Sequence, residues 1–157
     1  MKRSWIKRKS SDTDARQRMR RTMMRYNAPR AGSRRALKAR LDSLTAQIVK
    51  MRDGHVCVIC QSTFIIDCGH VYSRRLIATR WNLDNCFAQC RNCNTRHIVR
   101  PEIYLSWYQE RFGADALIAL HTLAYSGKTF SDEELGQMIS EYEAKLEQLR
   151  SDLEVAA

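Results

Sequence analysis

No run of apolar residues in this 157-residue chain reaches the length of a signal-peptide core or a membrane-spanning helix, so a soluble intracellular protein is expected. Internal repeats are lacking, and so is any low-complexity tract beyond a basic bias near the start, which sets aside solenoids and repeat arrays. Acidic residues are scarce at the front: residues 1–40 hold 15 Lys and Arg against two Asp, residues 41–100 eight against four acids, and residues 101–157 four against eleven. The net charge of +10 is therefore concentrated in the first half. Such a half suits a polyanion, because each phosphate neutralised releases condensed counterion, and the acidic end is expected to face away from it. An Arg-rich, acid-poor start is also the composition of a mitochondrial transit peptide, an alternative that stays open at this point. The length fits one domain with appendages and a modest core.

Cysteine, by contrast, is plentiful: six residues, four of them in two Cys-x-x-Cys knuckles, Cys57-Val58-Ile59-Cys60 and Cys90-Arg91-Asn92-Cys93. Each knuckle can turn two thiolates toward one point, and four thiolates make the closed tetrahedral shell that structural Zn²⁺ prefers. Disulfides and free thiols are the competing readings; a bridge within Cys-x-x-Cys is strained, and no secretory signal is present. Cys68 and Cys86 fall outside the four and are expected to be small packed side chains or oxidisable thiols. Between the knuckles stand polar groups that an ordinary zinc ribbon does not need: Asp67-Cys68-Gly69-His70, then Asn85, with Asn94 directly after Cys93.

Taken in order, residues 1–32 are expected to be a basic, flexible arm, wholly irregular or part helical, with little periodic apolar content, either a solvated tail or a DNA-embracing arm in which Lys7, Arg8 and Lys9 meet phosphate. Residues 33–54 read as an amphipathic helix, with Ser33 as N-cap, Leu37, Leu41, Leu44, Ile48 and Met51 on one stripe, and Gly54 as the stop. Its basic face carries Arg34, Arg35, Lys38 and Arg40, which either contact phosphate or form the ordinary solvated side. Residues 55–100 hold the knuckles. Thr63 to Tyr72, rich in β-formers, is expected to be a hairpin strand, with Asp67 and Gly69 on one face and His70 on the other; a twist or bulge at Gly69 would then have to bring them together. Ser73 to Asn85 is expected to be an irregular loop exposing Arg74, Arg75 and Arg80, and Cys90 to open a helix. Residues 101–157 read as helical, with Pro101 opening one helix that ends at Gly113, a second over Ala114 to Ser126, and a capping box, Ser131-x-x-Glu134, starting the last. That helix, 131–153, spaces Leu135, Ile139, Tyr142, Leu146, Leu149 and Leu153 as heptads, which suits either a homodimer or packing within the chain.

The pattern resembles the HNH, or ββα-metal, nucleases, and more closely the NinG (Rap) family of lambdoid phages, endonucleases acting on Holliday junctions and other branched recombination intermediates. The likeness is carried by Arg52-Asp53, Asp67-x-Gly69-His70, Arg80 through Asn85, Gln89-Cys90-x-x-Cys93-Asn94, Tyr104 to Gly113 and Glu141-Tyr142 to Leu149, about residues 50–150 in all. The resemblance implies an α+β, mostly helical fold: a small zinc-stabilised ββα-metal core with flanking N- and C-terminal helices. It implies a phosphodiesterase on branched DNA inside a bacterial host cell, in which His70 is the general base and Asn85 orients the hairpin or His70. Asp67 and Asn94 would ligate a catalytic Mg²⁺ or Mn²⁺. After Asn94 the chain departs from the family, reading Thr95-Arg96-His97, so His97 is either a further ligand or phosphate contact, or a surface histidine, and Arg96 is a candidate DNA contact.

The chemistry fits these residue types. A neutral imidazole with a reference pKa of ~6.5 can take a proton from water, worth on the order of 100- to 10,000-fold. A hard divalent cation stabilises the phosphate and departing oxygen. A non-catalytic zinc-ribbon DNA-binding or regulatory protein keeps the same features without the reaction, and a protein-interaction module built on the C-terminal helices is a third reading.

Overall fold

The computed structural model describes residues 13–21, 30 and 32–155. The chain divides into two units, Met1–Ala36 and Leu37–Ala157. In the first, residues 13–21 are helical and exposed. Ser33 Oγ accepts the Ala36 N–H at 3.3 Å, the cap that opens helix α1 (Arg34–Arg52). Lys7, Arg8 and Lys9 lie outside the described residues.

Within the second unit α1 buries Leu41, Leu44, Thr45, Ile48 and Val49. It ends in paired return bonds, His55 N–H to the Lys50 carbonyl at 2.7 Å and Gly54 N–H to the Met51 carbonyl at 3.1 Å, with Gly54 at φ 63°. This left-handed end suits glycine, which has no Cβ to clash. Strand β1 (Ile66–His70) pairs antiparallel with β2 (Cys86–Cys90), and helix α2 (Arg91–Val99) follows without a linker. The pairing runs Ile66 to Cys90 through His70 to Cys86 with no residue skipped, so the expected bulge at Gly69 is absent. Gly69 has another reason to lack a side chain: a Cβ there would stand 2.0 Å from Gln89 Oε1, because the Gln89 side chain lies across the strand. β1 is also shorter than Thr63 to Tyr72, since Ile65 sits at φ 47° and cannot continue an extended chain.

All five residues of β2 are buried because helices cover both faces of the sheet. Cys86 and Ala88 pack on Val49 of α1. Phe87 packs on Tyr104 and Tyr108 of α3 (Pro101–Phe112) and Leu120 of α4 (Ala114–Ala124). Helix α5 (Asp132–Val155) opens on the capping box: Ser131 Oγ accepts the Glu134 N–H at 3.1 Å, and Glu134 Oε2 accepts the Ser131 N–H at 2.6 Å. Its heptad stripe is used within the chain. Leu135 meets Leu41 and Trp81, and Ile139, Tyr142, Leu146 and Leu149 meet Leu44 and Ile48, while Leu153 stays 53 % exposed. The fold is thus a mostly helical α+β arrangement around a small two-stranded sheet. No helix among the described residues is long and apolar enough to cross a membrane.

The connection from Val71 to Asn85, which contains a 3-10 turn at Ile77–Thr79, is held at two points. Asn85, fully buried, accepts the Tyr72 N–H at 2.7 Å and donates to the carbonyls of Tyr72 at 2.9 Å and Thr79 at 3.0 Å. Asp42 of α1 receives Arg80 Nε at 2.9 Å and Nη2 at 2.7 Å, Trp81 Nε1 at 2.8 Å and Arg74 Nη2 at 2.8 Å. This corrects the expectation of an exposed Arg80, whose side chain is only 19 % exposed, because the carboxylate on α1 draws it inward. Burial alone would raise the Asp42 pKa, but the hydrogen bonds from Arg80 and Trp81 and the two arginine charges hold it below the usual carboxylate value.

Replacing Asp42 by Asn leaves the guanidinium and indole donors poorly matched, and is expected to destabilise the fold by on the order of 1–3 kcal/mol near neutral pH. A carboxylate whose folded pKa is depressed stabilises the fold above its unfolded value of ~3.9 and loses that contribution as pH falls through the folded pKa. Urea unfolding of wild type and Asp42→Asn should accordingly show a constant gap from about pH 5 to 8 that closes below about pH 4; a gap unchanged at pH 3 would rule out the charged clamp.

Candidate metal centre and adjoining cleft

The first knuckle follows α1 directly. Gln61 N–H returns to the Cys57 carbonyl at 2.9 Å and Cys57 N–H to the Ser62 carbonyl at 2.8 Å, while Val58 N–H donates to Ala88 of β2 at 2.9 Å, fixing this turn against the sheet. The second knuckle spans the last residue of β2 and the first turn of α2, where Cys90 Sγ caps the helix by accepting the Cys93 N–H at 3.5 Å. The ligand atoms of Cys57, Cys60, Cys90 and Cys93 all lie within 4.8 Å of one another, and Cys60 and Cys90 sulfurs are 3.6 Å apart. A regular zinc tetrahedron with bonds of ~2.3 Å has edges of about 3.8 Å, whereas a disulfide would need about 2.05 Å. All six cysteines are free thiols. The cluster could hold a structural metal such as zinc. Burial would raise the Cys57 thiol, yet hydrogen bonds from the backbone of Cys90, Cys60 and Ile59 bring it down to about 7. Burial and the neighbouring thiols push Cys93 up instead. Four sulfurs so crowded favour a cation between them.

Beside this centre a cleft of about 320 Å³ runs along the free edge of β1. Asp67, Cys68 and His70 of β1, Asn94 of α2, Asp42 and Lys50 of α1, and Arg74 and Arg80 of the connection line it. A cleft on a strand edge is reached from both faces of the strand. Asp67 and His70, whose side chains alternate, therefore meet in it without distortion of the sheet. His70 Nε2 lies 3.0 Å from the Arg80 carbonyl. A carbonyl oxygen only accepts, so in the neutral ring Nε2 carries the proton and Nδ1 keeps the lone pair. Burial lowers the His70 pKa and so favours the neutral imidazole, while that carbonyl pulls the other way. Asp67 is gripped in a fork by Arg91, Nε to Oδ2 at 3.0 Å and Nη2 to Oδ1 at 2.9 Å, and the Arg91 bonds chiefly hold its pKa low, with Asn94 adding to the effect.

Of the expected site residues, His70, Asp67 and Asn94 come together, and Asn85 lies behind them, clamping the connection. His97 does not join them. It is four residues beyond Cys93 on the same helical face, and packs edge-on against Tyr104 with ring centroids 4.7 Å apart. Among the cations, Arg74 and Arg80 are at the cleft, Arg34, Arg35, Arg75 and Arg96 are exposed, and Lys38 is half-buried. Asp42 and Lys50 were missed from the sequence. Their signal was present: they stand eight residues apart on α1, and Asp42 is the helix's only acid. Arg52 and Asp53, read only as part of a likeness, tie α1 to β2: Arg52 donates to the Leu83 and Cys86 carbonyls at 2.9 and 2.8 Å, and Asp53 accepts the Ala88 N–H at 2.8 Å.

Removing metal from the purified protein with a zinc-specific chelator, or replacing Cys60 by Ser, is expected to lower the melting temperature by on the order of 10 °C or more, and metal analysis should find one tightly held zinc lost. Unchanged melting after complete metal removal would assign the thiols no structural role.

No curated protein and no solved structure matches the chain. A family model does, the one described as bacteriophage lambda NinG protein, and it covers residues 1–152. With the two knuckles, the edge cleft and nearly the whole length inside that match, the chain belongs to the family of the bacteriophage lambda NinG protein.

Proposed function

We propose that this protein is a metal-dependent DNA endonuclease of HNH type that hydrolyses phosphodiester bonds, acting on branched recombination intermediates. The observation that carries the reading is His70: a half-buried imidazole with Nε2 committed to a backbone carbonyl and Nδ1 left basic, in one cleft with a carboxylate and an amide. A purely structural ribbon has no use for such a base. The strand–strand–helix order that builds the cleft supports the ββα-metal reading, and membership of the NinG family supports branched DNA as the substrate class proposed.

In this mechanism His70 Nδ1 removes the proton from the attacking water, and the Arg80 carbonyl holds the ring so that the resulting imidazolium keeps its Nε2–H bond. Lys50, Arg74 and Arg80 supply positive potential for the phosphate, with Arg74 and Arg80 kept in place by Asp42. Asp67 and Asn94 have the hard oxygen donors that suit Mg²⁺ or Mn²⁺ and would hold it. Such a cation, when bound, stabilises charge on the phosphate and on the leaving oxygen. Asn85 acts at one remove, by fixing the connection that carries Arg80.

One feature favours the second reading, a zinc-ribbon DNA-binding protein without the reaction: both oxygens of Asp67 are taken by Arg91. The two readings separate in a cleavage assay. Labelled four-way-junction and matched linear DNA are incubated with wild type and His70→Ala, each verified as folded and zinc-loaded, with added Mg²⁺ or Mn²⁺ and without. The nuclease is expected to cut only with added metal and to lose on the order of 100-fold or more in rate on His70→Ala while still binding DNA. Preference for the junction identifies the substrate. Tight binding with no cleavage under any metal establishes the binding protein instead.

A further inference from the structure

The hairpin register gathers a trio of potential metal ligands at the same cleft, two of which, Cys68 and His70, line it. Cys68 and His70 alternate onto the α1-facing side of β1, and Cys86 lies directly across from His70. Their ligand atoms all lie within 4.8 Å of one another. Among the described residues this is one of two such groups, the other being the four-cysteine centre. The Arg80 carbonyl oxygen adjoins it, 3.0 Å from His70 Nε2 and 3.6 Å from Cys86 Sγ.

We propose that Cys68, His70 and Cys86 form a second, thiophilic metal site, and that Zn²⁺ bound there silences the protein by occupying His70.

Two thiolates and an imidazole are soft and borderline donors, a set that selects Zn²⁺, Cd²⁺ or Co²⁺ over the hard Mg²⁺. Binding balances simply: the two thiols release two protons to solvent, and the dication with two thiolates and a neutral imidazole carries no net charge. That neutrality suits a site whose Cys86 is fully buried. Zinc bonds of about 2.0–2.3 Å bring donors to about 3.3–3.8 Å apart, so the side chains need draw in by only about an ångström. A Cys68–Cys86 disulfide fits less well, since Cys68 faces Ala88, which makes the two cysteines diagonal neighbours with Cα atoms expected about 7–8 Å apart, beyond the usual disulfide span. Asp67 and Asn94, the hard donors, come from the other side of the strand and from α2, so the two kinds of donor do not share a ligand.

Metal binding by this trio does not depend on the nuclease reading; the silencing does. Co²⁺ is titrated into the full chain already holding zinc at its four-cysteine centre, following thiolate-to-cobalt charge-transfer absorption and bound metal after dialysis. Wild type is expected to take one further equivalent. Cys68→Ser and Cys86→Ser are expected to lose it while keeping the first zinc and the helical circular dichroism, and His70→Gln to weaken it by about tenfold or more. Absence of a further equivalent in wild type overturns the site, as does its survival in folded Cys68→Ser, the variant at the less buried position. In the cleavage assay with Mg²⁺, added Zn²⁺ is expected to slow wild type by about tenfold or more and to leave Cys68→Ser cutting. Equal slowing of both, or none in wild type, refutes the silencing. A wild type that binds the further equivalent but cuts no DNA removes the nuclease reading and leaves the site standing.

Discussion

Two strands of five residues cannot hold themselves together in water, and both candidate metal-binding groups of this protein are built around such a pair. The hairpin persists because it is fastened at both ends. At one end Cys90, the last residue of β2, belongs to a four-thiol cluster that also grips the turn after α1 and the first turn of α2. At the other, Asn85 and Asp42 tie down the connection between the strands. The helices then bury both faces, with Cys86 and Ala88 against α1 and Phe87 against α3 and α4. Among the described residues the edge of β1 stays open, and the cleft lies there.

This arrangement explains why a structural centre and a candidate reactive one sit side by side. Cys93 is fixed by the thiol cluster, and Asn94, its neighbour, is thereby set at the cleft. The same helix start supplies Arg91, which holds Asp67 in a fork. The positions of the polar groups are inherited from parts of the molecule whose task is to stay still, which is what a preorganised site requires.

What could be read in advance, and what could not, follows the range of each interaction. The four cysteines were legible because their spacing is local, and so were the helix limits at Gly54, Pro101, Gly113 and Ser131, which rest on caps within a few residues. His70 and Asn94 stood out as polar groups a plain ribbon does not need. Asp42 with Arg80 did not, since 38 residues separate them and no local rule links a helix acid to a distant loop. Arg91 with Asp67, 24 residues apart, escaped for the same reason. His97 was drawn toward the cleft by its nearness to Asn94, although it shares the face of Cys93 and follows that residue under Tyr104. The strand alternation does part Asp67 from His70, as the sequence shows; what the sequence does not show is that the cleft lies on an edge.

Arg80 has two roles in this scheme, played by different parts of the residue. Its side chain answers to Asp42, and its carbonyl decides which nitrogen of His70 carries the proton. No codon change can remove a main-chain oxygen, so the imidazole's tautomer is shielded from direct mutation at that atom. It can be adjusted only at a distance, through whatever sets the placing of the peptide: the carboxylate on α1, the amide of Asn85, or the length of the turn between them. Variation that retunes this imidazole is therefore to be sought in residues other than His70 and the peptide it bonds to.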